Sequence, residues 1–466
     1  MGAPQEAKTG IHPAFGVVFA MNYMMGSGYL TLPKAYADAS VAIGVAMTFV
    51  MALGACVSAE CILDAMDRAA WIVAARGHPA RGGSFYRINA GDAEAATDAQ
   101  LAAPRPAQLP DLCRLFLGSA GNNAYVFMLS SFMVGSMWCY AAIFGQSLKT
   151  NVGEPFGPRS YVAYVAVFAC LVVPLSLKDL SDQKTTQAAL AVGRQVMLVA
   201  MVATSIACLV SQGPVEPMPE RATAFAGVAP LAPIVAFSVT LHHSVPQICA
   251  PVRADTPLVL NSMFRYAFLG AALIYVLFAA PVATLFGAGT ESASNLDWAT
   301  YHHVPNPLDP NDALKRRAAS VLGQFVVLYP AINVVATYPL NAITFGDALM
   351  ATYREKCGAW EDRPSDLPPS ASQTRFFRLV AGVPPLVGAA LVDDISAITG
   401  VTGCFGLAMC AVLPGILAIQ GQRVAPGPAP HATRLNGFNA AAGLAICGSL
   451  LTLSALGAAL KVPGLA

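Results

Sequence analysis

Eleven stretches of about 20 apolar residues run through this chain, and they constrain its fold more than any other feature. They cover 14–37, 40–63, 122–148, 159–178, 185–211, 228–250, 262–288, 317–344, 375–392, 394–419 and 437–460, each closed by polar residues, Gly or Pro. A helix crosses ~30 Å of hydrocarbon with about 20 such residues. Transmembrane strands would show period-two alternation over ~10 residues, and no segment does so. The expected fold is therefore an all-α polytopic membrane protein with about eleven transmembrane helices. A short polar segment, 1–13, precedes one transmembrane domain over 14–466. Composition agrees: 56% of the 466 residues are hydrophobic and 11% charged, against roughly 25% charged in soluble domains. That balance excludes a soluble enzyme, a nucleic-acid binder and a disordered chain. A net charge of +1 gives no reason to expect a polyanionic partner.

The basic residues set an orientation. With the N-terminus in the cytosol, eighteen of the 27 Lys and Arg residues fall on the cytosolic side, eight fall opposite, and Arg194 lies inside a run. The positive-inside bias favours this arrangement, with Lys315-Arg316-Arg317 as a local exception. Segment 1–13 has no basic region followed by a cleavable apolar core, so the first run reads as an uncleaved anchor. Residues 64–121 are expected as a long cytosolic loop ending in a short interfacial helix, Leu109–Gly118. Residues 289–315 form the long loop of the other face, and 353–374 a cytosolic one.

The first run contains Asn22, then Gly26-Ser27-Gly28, then Leu30, Leu32 and Pro33. Two glycines in mid-span weaken the helix. Backbone groups freed inside a bilayer must meet a cavity, an ion or a substrate. The other reading of the same small residues is a helix-packing face. The sixth run carries Pro233, Phe237, Ser238, Thr240, His242, His243 and Pro246, and again predicts an unwound stretch. Interrupted helices five positions apart fit a five-plus-five inverted repeat with an extra eleventh helix.

These residues carry a resemblance. The first run resembles the opening helix of the amino acid/auxin permease family, with Asn22, Gly26-Ser27-Gly28, Leu30, Leu32 and Pro33 at matching spacing. It is similar to the branch that includes transmembrane protein 104. The sixth run resembles the family's F-x-F-x-C-H-x-x-V-x-P-I segment through Phe237, His242, Val245 and Pro246. It departs from that segment where Leu241 replaces the Cys and where Pro246 sits one place early. The eighth and tenth runs, around Asn333–Leu340 and Ile398–Gly403, also resemble family helices. The resemblance does not cover 64–108, 289–315 or 353–374.

The resemblance implies a secondary transporter working by alternating access. Its substrate would be an amino acid or related amine or carboxylate, moved with H+ or Na+ and without a cofactor. Gly26, Ser27 and Gly28 would face the substrate's carboxylate; Phe237, Ser238 and Thr240 would face its amine and side chain. Asn22 holds the position implicated in sodium coupling, with Asn333 or Thr337 as its partner on the eighth helix. The partners implied are a small molecule and the lipid bilayer, with no nucleic acid. The plasma membrane and an endomembrane or lysosome-type organelle both suit the topology.

Ionisable residues within spans are costly and mark function by default. Arg194 lies about 13 Å into its helix at 1.5 Å per residue, near the midplane. Its guanidinium either replaces sodium beside the first and eighth helices, or pairs with Glu60, or snorkels to the cytosol. His242 is either a proton carrier or a packed core histidine. No further acid or Cys stands near His242-His243, and no metal site is expected. No G-x-S-x-G, His box or G-x-x-x-x-G-K-[ST] occurs, so neither a membrane enzyme nor an ATP-driven pump is supported. The competing class is an amino acid-sensing receptor of the same fold, with 64–121 as its signalling platform.

Overall fold

The apolar runs become helices wherever the computed structural model describes the chain, which is residues 11–26, 28–77, 108–178, 184–219, 228–252, 257–303, 313–356 and 370–459. In chain order they are α1 (Pro13–Met24), α2 (Leu32–Ala39), α3 (Val41–Gly77), α4 (Leu109–Val152), α5 (Ser160–Ser176), α6 (Lys184–Gln212) and α7 (Val228–Val239). They continue as α8 (Val245–Cys249), α9 (Pro257–Phe286), α10 (Ala313–Lys356), α11 (Ala371–Leu391), α12 (Ile395–Leu407), α13 (Leu413–Val424) and α14 (Phe438–Ala459). A wide turn at Ala408–Val412 joins α12 to α13 in one rod. Among the described residues no sheet forms; a single backbone bridge joins Ile11 to Val252.

Eight helices among the described residues are long and apolar enough to cross a membrane. The remaining expected runs look different for local reasons. Run one is divided into α1 and α2, and run six into α7 and α8. Helix α11 has sufficient length, but its first two turns carry Ser372, Gln373, Arg375 and Arg378. Large apolar side chains point outward, as in Val210 at 84% exposure and Leu391 at 79%. A soluble protein would hide these residues; here they form the lipid-facing surface. The centre is aromatic, with Phe264, Phe268, Tyr275 and Phe278 of α9 fully buried. Helix α14 is the least buried of the eight and lies at the periphery against α12 and α13. At the centre, α7 and α12 touch backbone to backbone. A Cβ on Gly403 would lie 1.9 Å from the Pro233 carbonyl oxygen, so only glycine fits there.

Helix α3 runs past the expected end at residue 63 to Gly77. The charges that seemed to close the span are instead buried and paired inside the protein. Asp64 is fully buried and accepts two hydrogen bonds from Arg68, at 2.8 and 3.0 Å. Arg68 also donates to the Ala425 carbonyl. Glu60, fully buried as well, binds Arg265 of α9 at 2.5 Å and accepts from Thr433 at 2.6 Å. Asp67 accepts from both the backbone and the ring of His431. The segment between α13 and α14 is thus strapped onto α3. The expected loop 64–121 shrinks accordingly: 64–77 and 109–121 are helical, and 78–107 lie outside the described residues. Its end folds as expected, with a helix from Leu109 that kinks at Gly118 (φ 68°) before the span proper.

The strap marks one end of the bundle. Ile11 donates to the Pro251 carbonyl at 2.9 Å, so the N-terminal segment lies beside the exit of α8. The opposite end carries the described part of the segment expected as a loop over 289–315: 294–303 form tight helical turns, 304–312 lie outside the described residues, and 313–315 begin α10. There Trp298 donates to Thr204 at 3.1 Å, and Asn295 to the Val327 carbonyl at 3.1 Å. Asp297 accepts from the Glu291 amide at 2.9 Å. Burial pushes the Asp297 carboxyl well above its ordinary value of 3.8, opposed by the hydrogen bond from the Glu291 amide and more weakly by Lys34.

Two stability measurements follow. A carboxyl whose value is raised by folding stabilises the fold while protonated, and that contribution is lost as pH rises from about 3.8 through the folded value. Thermal unfolding in detergent is therefore expected to show wild type losing stability between acid and neutral pH, with a flatter profile for Asp297→Asn. Separately, removing one partner of a buried pair costs about 3–5 kcal/mol. Asp64→Ala is expected to lower the melting temperature clearly, whereas Asp38→Ala, at an exposed pair with Lys34, is expected to leave it nearly unchanged.

Candidate functional site

The site is built on the two interruptions. Helix α1 stops at Met24, and tight turns resume at Gly28–Thr31 before α2. Helix α7 stops at Val239, and tight turns at His242–Ser244 lead into α8. The glycines have distinct steric roles. A Cβ on Gly28 would lie 2.4 Å from the Phe237 ring, while one on Gly26 would meet nothing closer than the Tyr140 hydroxyl at 3.3 Å. Gly28 therefore lets the two interrupted helices close on each other.

Freed carbonyls around the interruptions are capped by hydroxyls. Thr31 donates to the Gly28 carbonyl at 2.8 Å, Thr240 to Ala236 at 2.6 Å, and Tyr275 to Ser238 at 2.9 Å. Each bond satisfies a group that lipid could not.

A cavity of about 240 Å³ lies at the interruptions. Of the residues singled out from sequence, Asn22, Gly26, Gly28, Arg194, Phe237, Thr240, Asn333 and Thr337 line it together. Ser27 lies outside the described residues. Ser238 is not in the lining: its hydroxyl turns back to the Ile234 carbonyl and its own carbonyl is taken by Tyr275. His242 is not in the lining either. It is fully buried, with Nε2 3.2 Å from the Ala55 carbonyl and its ring stacked on Phe268.

Of the two readings for His242 the packed core histidine matches its surroundings, and the neighbouring imidazole is the one that faces the cavity. His243 lines the cavity, with Nε2 3.0 Å from the Tyr23 hydroxyl. Tyr23 in turn accepts from Ser244 at 2.6 Å. Sequence reasoning weighed His243 only as half of a metal pair. A rotation of about 100° per residue separates the two histidines, but the sequence does not say which one points inward. Tyr140, Ser136 and Asn341 also line the cavity and were missed. They come from the middle of α4 and α10, where polar residues resemble ordinary helix-packing contacts.

Arg194 carries the main electrostatic feature. Its side chain is 7% exposed and donates to the Asn22 side-chain oxygen. Its Nε has no partner among the described residues. Neither the Glu60 pairing nor the snorkelling weighed from sequence occurs, because Glu60 binds Arg265 and Thr433 instead and Arg194 is buried. Packing also braces the α6 backbone beside it. Gly193 leaves room for Tyr329, whose ring would lie 2.6 Å from a Cβ there, and the Tyr329 hydroxyl donates to Leu190 one turn earlier on α6. Among the described residues no cluster of three His, Cys, Asp or Glu side chains could hold a metal.

The family described as transmembrane amino acid transporter protein matches residues 10–425. The transmembrane protein 104 homolog of Dictyostelium discoideum is 22% identical over 478 residues, spanning 91% of each chain. Human transmembrane protein 104 is 20% identical over 463 residues, spanning 88% of this chain and 87% of its own. Crystal structures of two mutants of the Eremococcus coleocola manganese transporter superpose with a TM-score of 0.52 at 11% identity, covering 99% of this chain and 88% of theirs. That likeness shows a shared fold.

The two glycines should respond unequally to substitution. Gly28→Ala is expected to force the α1–α2 turn away from Phe237 and cost at least tenfold in ligand affinity, while Gly26→Ala costs severalfold at most. Ligand binding to detergent-purified variants, beside their melting temperatures, checks this; equal effects would mean that the interrupted helices do not close through Gly28.

Proposed function

Because this chain belongs to the transmembrane amino acid transporter family, a family of multi-pass membrane transporters, we propose that it moves amino acids or related small carboxylates by alternating access. The observation that carries this reading is the cavity at the paired interruptions. At about 240 Å³ it is smaller than the ~300–1,000 Å³ of drug-sized pockets, and it suits a solute of amino acid size. Its lining runs from Gly28 back along α1 to Asn22, and along α10 from Asn333 to Thr344.

The proposed topology has eleven crossings: α1–α2, α3, α4, α5, α6, α7–α8, α9, α10, α11, α12–α13 and α14. The first ten would form a five-plus-five inverted repeat, supported by interruptions at corresponding first and sixth positions. The peripheral placement of α14 supports its role as the extra helix. The face carrying the strap would be cytosolic, in the plasma membrane or an endomembrane or lysosome-type organelle.

Arg194 supports a sodium-independent cycle. The Asn22 oxygen that would bind sodium accepts from the guanidinium instead. His243, hydrogen-bonded to Tyr23 within the cavity, is better placed than the walled-off His242 to exchange a proton with a solute. The same guanidinium opposes a divalent cation as cargo, because like charges repel strongly where water is scarce.

Proteoliposomes with separately imposed gradients test the reading. A proton gradient is expected to drive amino acid uptake and a sodium gradient to leave it unchanged. His243→Gln is expected to abolish the proton dependence, and His242→Gln to retain it at reduced stability. Sodium-driven uptake would overturn the assigned role of Arg194, and binding without flux would favour a receptor.

A further inference from the structure

The cavity's charge is unbalanced. Arginine carries a permanent positive charge, and Arg194 is buried at the cavity wall. Among the described residues no Asp or Glu lines the cavity, and none forms an ion pair with Arg194. The Asn22 oxygen is a neutral acceptor, and the guanidinium Nε has no partner. A buried cation with so little compensation is costly, and it attracts an anion at short range. The remaining polar lining consists of Ser, Thr and Tyr hydroxyls, the amides of Asn333 and Asn341 and the imidazole of His243. These groups can bind a carboxylate or an amine, but none supplies a negative charge to balance an ammonium.

We infer that the cavity selects solutes of net negative charge: acidic amino acids and small dicarboxylates above neutral zwitterions, with cationic amino acids excluded. This rests on the reading of the cavity as the transport site. A neutral zwitterion brings an ammonium together with its carboxylate, so its net attraction to the guanidinium is small. A solute with a second carboxylate neutralises Arg194 and leaves its other carboxylate for the hydroxyl and amide donors. An acidic amino acid, of net charge −1, converts a site of charge +1 into a neutral one, and a dicarboxylate carries its surplus charge onto the hydroxyl and amide donors. Asn22 is then relieved as the main acceptor of the guanidinium, which couples ligand charge directly to α1.

Equilibrium binding to the detergent-purified full-length chain tests the ranking. L-glutamate, L-aspartate and succinate are compared with L-leucine, L-alanine and L-lysine at constant ionic strength. The anions are expected to bind at least about tenfold more tightly than leucine or alanine, and lysine not to bind. Arg194→Gln should erase the anion preference and Arg194→Lys should retain it, with size-exclusion profiles confirming that both fold. The wild-type ranking stands on its own if a variant misfolds. Neutral or cationic amino acids binding wild type as tightly as anions would overturn the inference, as would absence of anion binding or an unchanged ranking in a folded Arg194→Gln. Anion binding without flux in proteoliposomes would support the charge assignment while overturning the transport reading.

Discussion

A backbone carbonyl or amide without a partner in hydrocarbon costs several kcal/mol, and this penalty shapes the centre of the molecule. Two helices are broken in mid-bundle, and each break exposes groups that lipid cannot satisfy. The chain meets the demand with hydroxyls from Thr31, Thr240 and Tyr275. The breaks can therefore persist without a ligand while the cavity between them keeps its polar lining. Elsewhere the bundle follows ordinary membrane packing, with small residues where backbones meet, as at Gly403 against Pro233.

Arg194 follows the same logic for a full charge. It is buried at the cavity wall, on a helix whose backbone is braced by Tyr329 against Gly193, and is given one neutral acceptor in Asn22. A carboxylate placed permanently beside it would have made a closed structural pair, as Asp64 does for Arg68. The contrast between these two buried arginines separates a closed ion pair from a charge met only by a neutral acceptor.

The helices and both interruptions were legible because each rests on local sequence. About 20 apolar residues must span the bilayer, and glycines or a proline in mid-span must loosen it. Tertiary partners were not legible. Glu60, Asp64 and Arg68 read as the end of a span because their partners, Arg265, Ala425, Thr433 and Gln422, lie hundreds of residues away. The inward orientation of His243 rather than His242 depends on how the tight turn after α7 is wound. Ser238 sat at the right place along the chain, but its hydroxyl turned back onto its own helix. Gly28 and Arg194 were found because a flexible residue or a charge in mid-membrane is unusual wherever it occurs.

The strap on α3 also bears on the order in which the molecule is made. Glu60 and Asp67 leave the ribosome early, yet their partners Thr433 and His431 follow more than 360 residues later. At roughly 5–20 residues per second, tens of seconds separate the acids from these partners. Over that interval the end of α3 carries acidic groups that have not reached their final partners. A buried acid without its partner is costly, so these groups gain by staying in water until the segment between α13 and α14 has been made, and the last part of the chain then completes the burial of a helix made near the beginning.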